Sequence, residues 1–537
     1  MRTPVIRPVV TALCAAVFLS PMSASAQTRA PQRREPSASL QQAAQQAAAA
    51  ATQVRRLTAD EAVRLAAENN LGIQVDRFDP QIQNLNVLEA RAAWTPTFAA
   101  STQYNSNTSP PNSFLSGAPL ALNTNQFLGT TEVQQLLPWG GSYALGFDGA
   151  RSTSNNFFSN FNPQLRSSLS LNYTQPLMRG FKIDAIRRQV QIAQKNREIS
   201  DVTLRQTLTI TSRIVRNAYW DLAFQIASLT VARQSLELAE QSLRNTQARV
   251  DIGTLAPIDI VEAQAEVAAR REAVITGESL IETAEDTLRS LIYNPSIPDF
   301  WTIRIEPAET PVYEAVTINL DAAIRNALDR RTDLIQTKKT MEADDINIRF
   351  LRNQTKPEVT ARVDYGLSAI GGVQFVRAPG VGLAPGEIIG EERRGLGSVL
   401  GDLLTNDFPQ WTASLNFSYP LGTSQDEAAL ARARLQQTRS QTQLRSQELQ
   451  VVTEVRQAAR QVNTNVQRVA TTRVSRELAQ RRLEAEQRKL EAGTSTNFLV
   501  FQAQRDLDVA QNDELNAILD FVQSKVDFET VQEVPLR

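Results

Sequence analysis

The sequence predicts a mainly α-helical protein with a smaller β component, built from one helix–strand–strand–helix–helix unit used twice. Three observations carry this: an internal repeat, helical stretches too long for a compact domain, and short runs of strict polar–apolar alternation. The repeat is plainest at two turns. Residues 251–267, "DIGTLAPIDIVEAQAEV", return at 491–507 as "EAGTSTNFLVFQAQRDL", keeping Gly253/Gly493, Thr254/Thr494, Ala263/Ala503 and Gln264/Gln504 in one register. Near the start of each unit a second register keeps Asp60/Asp321, Ala62/Ala323, Arg64/Arg325, Ala66/Ala327, Pro96/Pro357 and Tyr104/Tyr365. "SLNYTQPL" at 170–177 likewise reappears as "SLNFSYPL" at 414–421. Self-similarity that preserves order marks a duplicated structural unit.

The elements follow in chain order. Arg2 and Arg7, the apolar run "VVTALCAAVFL" and "ASA" at 24–26 read as a cleavable secretory signal over residues 1–26. An exported chain is expected. Residues 27–56, rich in Ala and Gln with early prolines, form a low-complexity leader that cannot build a core. The first unit spans 57–292. It opens with "LTADEAVRLAAENN", where Thr58 is placed to cap a helix carrying Asp60 and Glu61 in its first turn and running to about residue 94. A proline-bearing linker at 293–317 leads to the second unit at 318–530.

Strands follow the first helix of each unit. Leu169, Leu171 and Tyr173 alternate with Ser168, Ser170, Asn172 and Thr174, and Trp411, Ala413, Leu415, Phe417 and Tyr419 alternate with polar residues in the same way. "TTEVQQLL" and "SYALGFDGA" around the turn "PWGG" predict an additional hairpin in the first unit alone. The glycine-rich stretch 366–404 is expected to be a plain loop, because it lacks the GxxxxGK[ST] pattern of a phosphate cradle.

The long helices carry the most regular signal. Between Asp184 and Val250 there is no proline or glycine, and Leu208, Val215, Leu222, Leu229, Leu236, Leu243 and Val250 recur every seventh residue. Such a repeat demands a left-handed supercoil with neighbouring helices. The second unit echoes it with Val455, Val462, Val469, Leu483 and Leu490, interrupted at Arg476. At 1.5 Å per residue a helix of about 67 residues is roughly 100 Å long, so it must form a rod or a wall. The strands then lie at one end and the Gly-Thr turns at the other, with Pro257 opening the returning helix.

Composition narrows the chemistry. A formal charge of -1 gives no basic surplus for nucleic acid, and there is no histidine, the commonest general base and zinc ligand. The single cysteine, Cys14, lies inside the signal. No enzyme activity, cofactor or metal site is expected; the carboxylate pair Asp344 and Asp345 reads as charge on an exposed helix. After residue 26 no run approaches the 18 apolar residues of a membrane helix, so any membrane span must be a β-barrel. Two strands per unit, or at most six per chain with the extra hairpin, cannot close even an eight-stranded barrel. Several chains would have to share one.

The order of "LTADEAVRLAAENN", "YTQPLMRGF", "RVDIGTLAPIDIVEAQAEV" and "LEAGTSTNFLVFQAQRDL", covering nearly everything from 57 to 530, resembles the TolC-like outer-membrane efflux protein family. The resemblance implies a long coiled-coil α-barrel in the periplasm joined to an oligomeric transmembrane β-barrel in the outer membrane, with twelve strands shared by a homotrimer. It implies a passive exit duct for efflux or type I secretion, of small molecules or polypeptides, working with a periplasmic adaptor protein and an inner-membrane transporter. The competing reading is a periplasmic coiled-coil scaffold whose strands form an ordinary sheet.

By the same resemblance, Gly253, Thr254, Gly493 and Thr494 form the periplasmic tip where an adaptor docks, and acids just after the turns line a narrow entrance. Asp259 and Glu262, three apart on one helical face, are the candidates for an acidic ring. Equally, they are helix-start charges that favour the dipole. Their second-unit counterparts are Leu499 and Gln502, so the ring would draw on the first unit alone.

Overall fold

The structure is a computed structural model that describes residues 54–111, 120–296, 300–311, 313–314, 317–380, 386–422 and 424–533. The expected signal peptide and all but the end of the expected leader lie outside these residues. The chain from Val54 onward forms one compact unit.

Its longest elements are two helices of 67 residues, α4 (Ala185–Asp251) and α9 (Gln425–Glu491), each returning through a tight turn into α5 (Pro257–Ile292) and α10 (Asn497–Val531). α4 packs along α5 and α9 along α10, while α4 also meets α10 and so joins the two halves. The heptad explains the packing. Val215, Leu222 and Leu229 are buried on α4, and Val455, Val462, Val469 and Leu483 on α9. Small side chains allow close approach: Leu229 lies against the backbone of Gly277, where an added Cβ would sit 3.2 Å from its Cδ1. Arg476, which interrupts the heptad, pairs with Glu514 of α10.

The first helix of each unit is divided rather than continuous. α1 (Ala59–Asn69), α2 (Leu71–Asp76) and α3 (Phe78–Ala92) replace the single helix expected from 58 to 94, and α6 (Leu320–Arg330) and α7 (Thr332–Gln354) answer them. Thr58 closes a capping box with Glu61, the two bonds measuring 3.2 and 3.1 Å. The break after α1 has a local cause: the Asn70 side chain accepts the Ile73 N–H at 3.2 Å and starts a new helix. Midway along the rods, β1 (Val54–Leu57) pairs in parallel with β6 (Arg304–Pro307). Around it Leu57, Tyr219, Leu222, Leu288, Ile292, Phe300 and Ile305 form a closed apolar core. The Tyr219 hydroxyl donates to Leu57 O and accepts the Glu309 N–H, both at 3.1 Å.

At the far end lies one antiparallel sheet containing β2 (Thr97–Ser109), β3 (Leu122–Leu136), β4 (Ser142–Ser154), β5 (Phe161–Pro176), β7 (Glu358–Arg377), β8 (Ile388–Arg394) and β9 (Pro409–Ser418). The expected hairpin is real and central: β3 and β4 stand between β2 and β5 in continuous register. Two expectations are corrected. The stretch 366–404 is not a plain loop, since its start continues β7 and its remainder supplies β8 and the helix α8 (Leu396–Thr405). The described sheet has seven strands, four from the first unit and three from the second, more than the four per chain that a twelve-stranded trimer implies and more than the maximum of six read from sequence.

The seven strands occupy six columns. β5 covers one edge of β7 from Thr360 to Gln374, whereas β9 pairs with Glu358–Leu367 and β8 with Gly372–Arg377. β8 and β9 therefore share the other edge end to end.

Candidate functional site

The two tips are built alike, atom for atom. At the end of α4, Gly253 N–H donates to Val250 O and Thr254 N–H to Arg249 O, both at 2.9 Å; at the end of α9, Gly493 donates to Leu490 at 3.1 Å and Thr494 to Lys489 at 2.9 Å. This pair of bonds closes a helix through a left-handed residue. Gly253 and Gly493 occupy that position with φ of +82° and +73°, where a side chain would be strained even though no atom lies within 4 Å of either added Cβ. Each threonine hydroxyl donates to the same carbonyl as its own amide, at 2.8 Å for Thr254 and 3.2 Å for Thr494. All four residues are exposed at the turns.

The halves part just beyond. The Asp259 carboxylate accepts the Ala256 N–H at 3.1 Å, so it closes the first turn of α5. Glu262 is exposed one turn further on. Leu499 stands in the Asp259 position of the second half, and there Thr496 makes no side-chain cap. The second tip ties itself differently, through Glu486, which accepts from Lys489 at 2.6 Å and Ser495 at 2.8 Å. The Lys489 ammonium, followed by the Ser495 hydroxyl, holds that carboxyl below the usual range.

Further along the rods lies a polar cluster that sequence reading missed. Glu266 of α5 accepts from Arg270 at 2.8 Å and from Arg505 of α10 at 2.9 Å, Arg270 also pairs with Asp508 of α10, and Ser235 of α4 donates to Asp508 at 2.8 Å. Three helices and both halves meet there. Burial pushes the Asp508 carboxyl up, against the opposing pull of Ser235 and Arg270. Asp344 and Asp345, weighed as a carboxylate pair, instead accept from Ser440 and Gln437 of α9. Among the described residues no cluster of His, Cys, Asp and Glu is arranged to hold a metal ion.

The sheet is sharply two-faced. One face gathers Phe98, Tyr104, Phe127, Leu145, Leu171, Val363, Tyr365, Trp411, Leu415 and Phe417, all exposed large apolar groups. The cross-strand pairs Tyr104↔Phe127, Val133↔Leu145, Leu145↔Leu171, Leu171↔Tyr365 and Tyr365↔Trp411 carry this face across all six columns. The other face carries Glu132, Asp148, Arg166, Arg362 and Asp364 among Ser, Thr and Asn, with Arg362 Nε donating to Asp364 at 2.8 Å. Helix α8 lies on the apolar face. Its Val399 and Leu403 bury against Phe147, Leu165, Leu367 and Ala369, while Leu396, Leu400 and Leu404 point away and stay exposed. Away from the rods this side also carries charge, with Arg151 opposite Phe127 and Glu391 and Arg393 of β8 opposite Phe375 and Val373; along the row Phe98, Val133, Leu145, Leu171, Tyr365 and Trp411 it presents hydrocarbon. None of the described helices is long and apolar enough to cross a membrane.

The model of the family described as "Outer membrane efflux protein" matches residues 62–292 and 323–530, in two blocks as the duplication requires. The chain belongs to the outer membrane efflux protein family. It is therefore a channel-family protein of the TolC-like type and not an enzyme. No curated protein matches the sequence significantly. Among solved structures, the Campylobacter jejuni CmeC outer membrane channel is similar over 88% of this chain and 85% of its own, at 12% identity and a TM-score of 0.61. The outer membrane protein VceC of Vibrio cholerae follows with 14% identity, 88% and 95% coverage and a TM-score of 0.59. The open-state MtrE outer membrane channel of Neisseria gonorrhoeae has 14% identity, covers 88% of each chain and scores 0.58. At such low identity these likenesses establish the fold alone: long helical hairpins joined to an antiparallel sheet.

Proposed function

We propose that this efflux protein is a passive outer-membrane exit duct, assembled as a homotrimer, that receives cargo in the periplasm from an inner-membrane transporter through an adaptor protein. The observation that carries the reading is the two-faced sheet. Its apolar side is continuous over all six columns and remains apolar where α8 covers it. A wall with hydrocarbon on one side and water on the other needs that division. The scaffold alternative offers nothing to cover the apolar side. Outer-membrane lipid covers it here, and the polar side lines the lumen.

The tips at Gly253, Thr254, Gly493 and Thr494 are the adaptor surface, because they are exposed and already have their helix-end carbonyls satisfied. Asp259 and Glu262, repeated around the axis, concentrate negative potential in the entrance, an effect that salt weakens. Asp259 serves as helix cap at the same time. Small molecules and polypeptides are both admissible cargo for such a duct, hence efflux and type I secretion alike.

The test begins with fractionation and planar-bilayer recordings. The protein should pellet with outer membrane and conduct as a trimer; a soluble periplasmic monomer would end this reading. Changing Asp259 to Ala and Glu262 to Gln should then lower cation selectivity while leaving the trimer intact, and unmoved selectivity would reduce both acids to helix-start charges.

A further inference from the structure

The inserted hairpin alters what three copies would enclose. In the resemblance each chain brings four strands to a shared barrel, whereas here the sheet is six columns wide because β3 and β4 stand between β2 and β5. A hairpin inserted between antiparallel neighbours leaves both neighbours running as before. β2 still leaves the helical rods after α3, and β5 still returns to them at α4. The sheet can therefore widen without disturbing the four places where the chain passes between sheet and rods.

Three features mark the hairpin as wall rather than plug. Its register is unbroken over Leu122–Leu136 and Ser142–Ser154, long enough in each strand to cross a bilayer core. Its side chains continue both faces of the sheet, Val133, Leu145 and Phe147 on the apolar side with Phe127 and its partner Arg151 towards the end away from the rods, and Glu132 and Asp148 on the polar side. Its turn is fitted to the join between sheet and rods. Gly140, at φ +95°, lies so close to the side chain of Arg187 and to Gly180 O that an added Cβ would stand 2.6 and 3.0 Å from them.

Among the described residues, the outer columns each leave a row of backbone groups unpaired within the chain. β2 runs away from the rods and β9 runs towards them, so β2 of one copy against β9 of the next is an antiparallel pairing that continues the sheet. Unpaired edges of this length call for an occupant. We propose that β2 of each chain pairs with β9 of a second copy, closing three six-column sheets into an eighteen-column barrel in place of the twelve that the resemblance implies. This rests on the duct reading above. Barrel diameter grows roughly in proportion to column number at constant tilt, so the outer mouth is about 1.5-fold wider than a twelve-column one.

Electron microscopy of the intact trimer in lipid nanodiscs should resolve eighteen columns. Twelve columns, with β3 and β4 folded outside the wall or into the lumen, would overturn the proposal. A second measurement uses a variant lacking residues 121–154, in which β2 and β5 can pair directly. In bilayers, graded polyethylene glycols added only at the outer side should enter the natural mouth at sizes about 1.5-fold larger than they enter the variant. Equal cut-offs would also overturn it. If the variant does not assemble, the column count of the natural trimer decides alone; a natural protein that forms neither ring nor pore would instead remove the duct reading beneath the proposal.

Discussion

The two halves of this chain agree at one end and disagree at the other. Their rods are the same length, 67 residues each, and their tips close with the same pair of bonds and the same threonine hydroxyl contact. Their strands share no such discipline, since among the described residues the first half supplies four and the second supplies three with a helix folded among them. The difference follows from the packing rule at each end. A residue added to a rod moves every later heptad position off its seam. A hairpin added to an antiparallel sheet moves nothing but the sheet's width.

If the rods are equivalent, breaking either should be equally severe. Leu229→Asp in the first half and Val462→Asp in the second each place a charge in a buried seam, at a cost above about 4 kcal/mol. Both should abolish recovery of the proposed trimer in gel filtration. Recovery of one and not the other would show that one rod carries the assembly.

The polar cluster is where the halves are not interchangeable, because the second-half counterpart of Arg270 is Ala510. Arg270→Ala leaves Glu266 and Asp508 without the cation between them, which should cost about 3 kcal/mol in denaturant unfolding, with Arg505 still holding Glu266. Ala510→Gly, with no charge involved, should cost only about 1 kcal/mol. Similar losses from the two changes would mean that the cluster contributes nothing as a charge network.

At the tips the symmetry should return. Gly253→Ala and Gly493→Ala each force a side chain into the left-handed region, for about 1 to 2 kcal/mol apiece and no steric clash. The smallest effect concerns the join between halves, where Glu198 of α4 takes Lys339 of α7. That contact, ahead of Lys195, holds the Glu198 carboxyl below its usual value of 4.5. A carboxyl lowered by folding stabilises fully above its unfolded value and loses that contribution as pH falls through the folded one. Melting temperature should therefore drop on acidification below about pH 4.5, and less steeply in Glu198→Gln. Identical acid limbs would assign the loss to other carboxyls.

What the sequence made legible was whatever repeats with a fixed period. The heptads located the rods, Gly253 and Gly493 located the tips, and the alternation from Leu169 to Tyr173 gave the faces of β5 correctly. The stretch from 366 to 404 stayed hidden because Gly366, Gly371 and Gly372 erase the alternation that would have marked β7. Two of them are glycine for a reason visible only in space: an added Cβ on Gly371 would strike Val399 of α8, and one on Gly372 would strike Pro163 O. The division of the first helix could have been read, since Asn70 followed by an apolar run is a helix-start signal. Nothing in the text could have joined Arg270 to Asp508, because their contact depends on how α5 and α10 cross.

The core around Tyr219 also has a mechanical meaning. It clamps α4 midway, and about 48 Å of unbroken helix, at 1.5 Å per residue, separates it from Asp251 at the turn. A stiff lever of that length converts a pivot of about 5° at its fulcrum into a sweep of about 4 Å at its end. Because each turn is closed by bonds within its own hairpin, it rides on the lever as a finished cap. In the duct proposed above, rotation at this distant bearing would set the width of the entrance, with no need for the tip itself to bend.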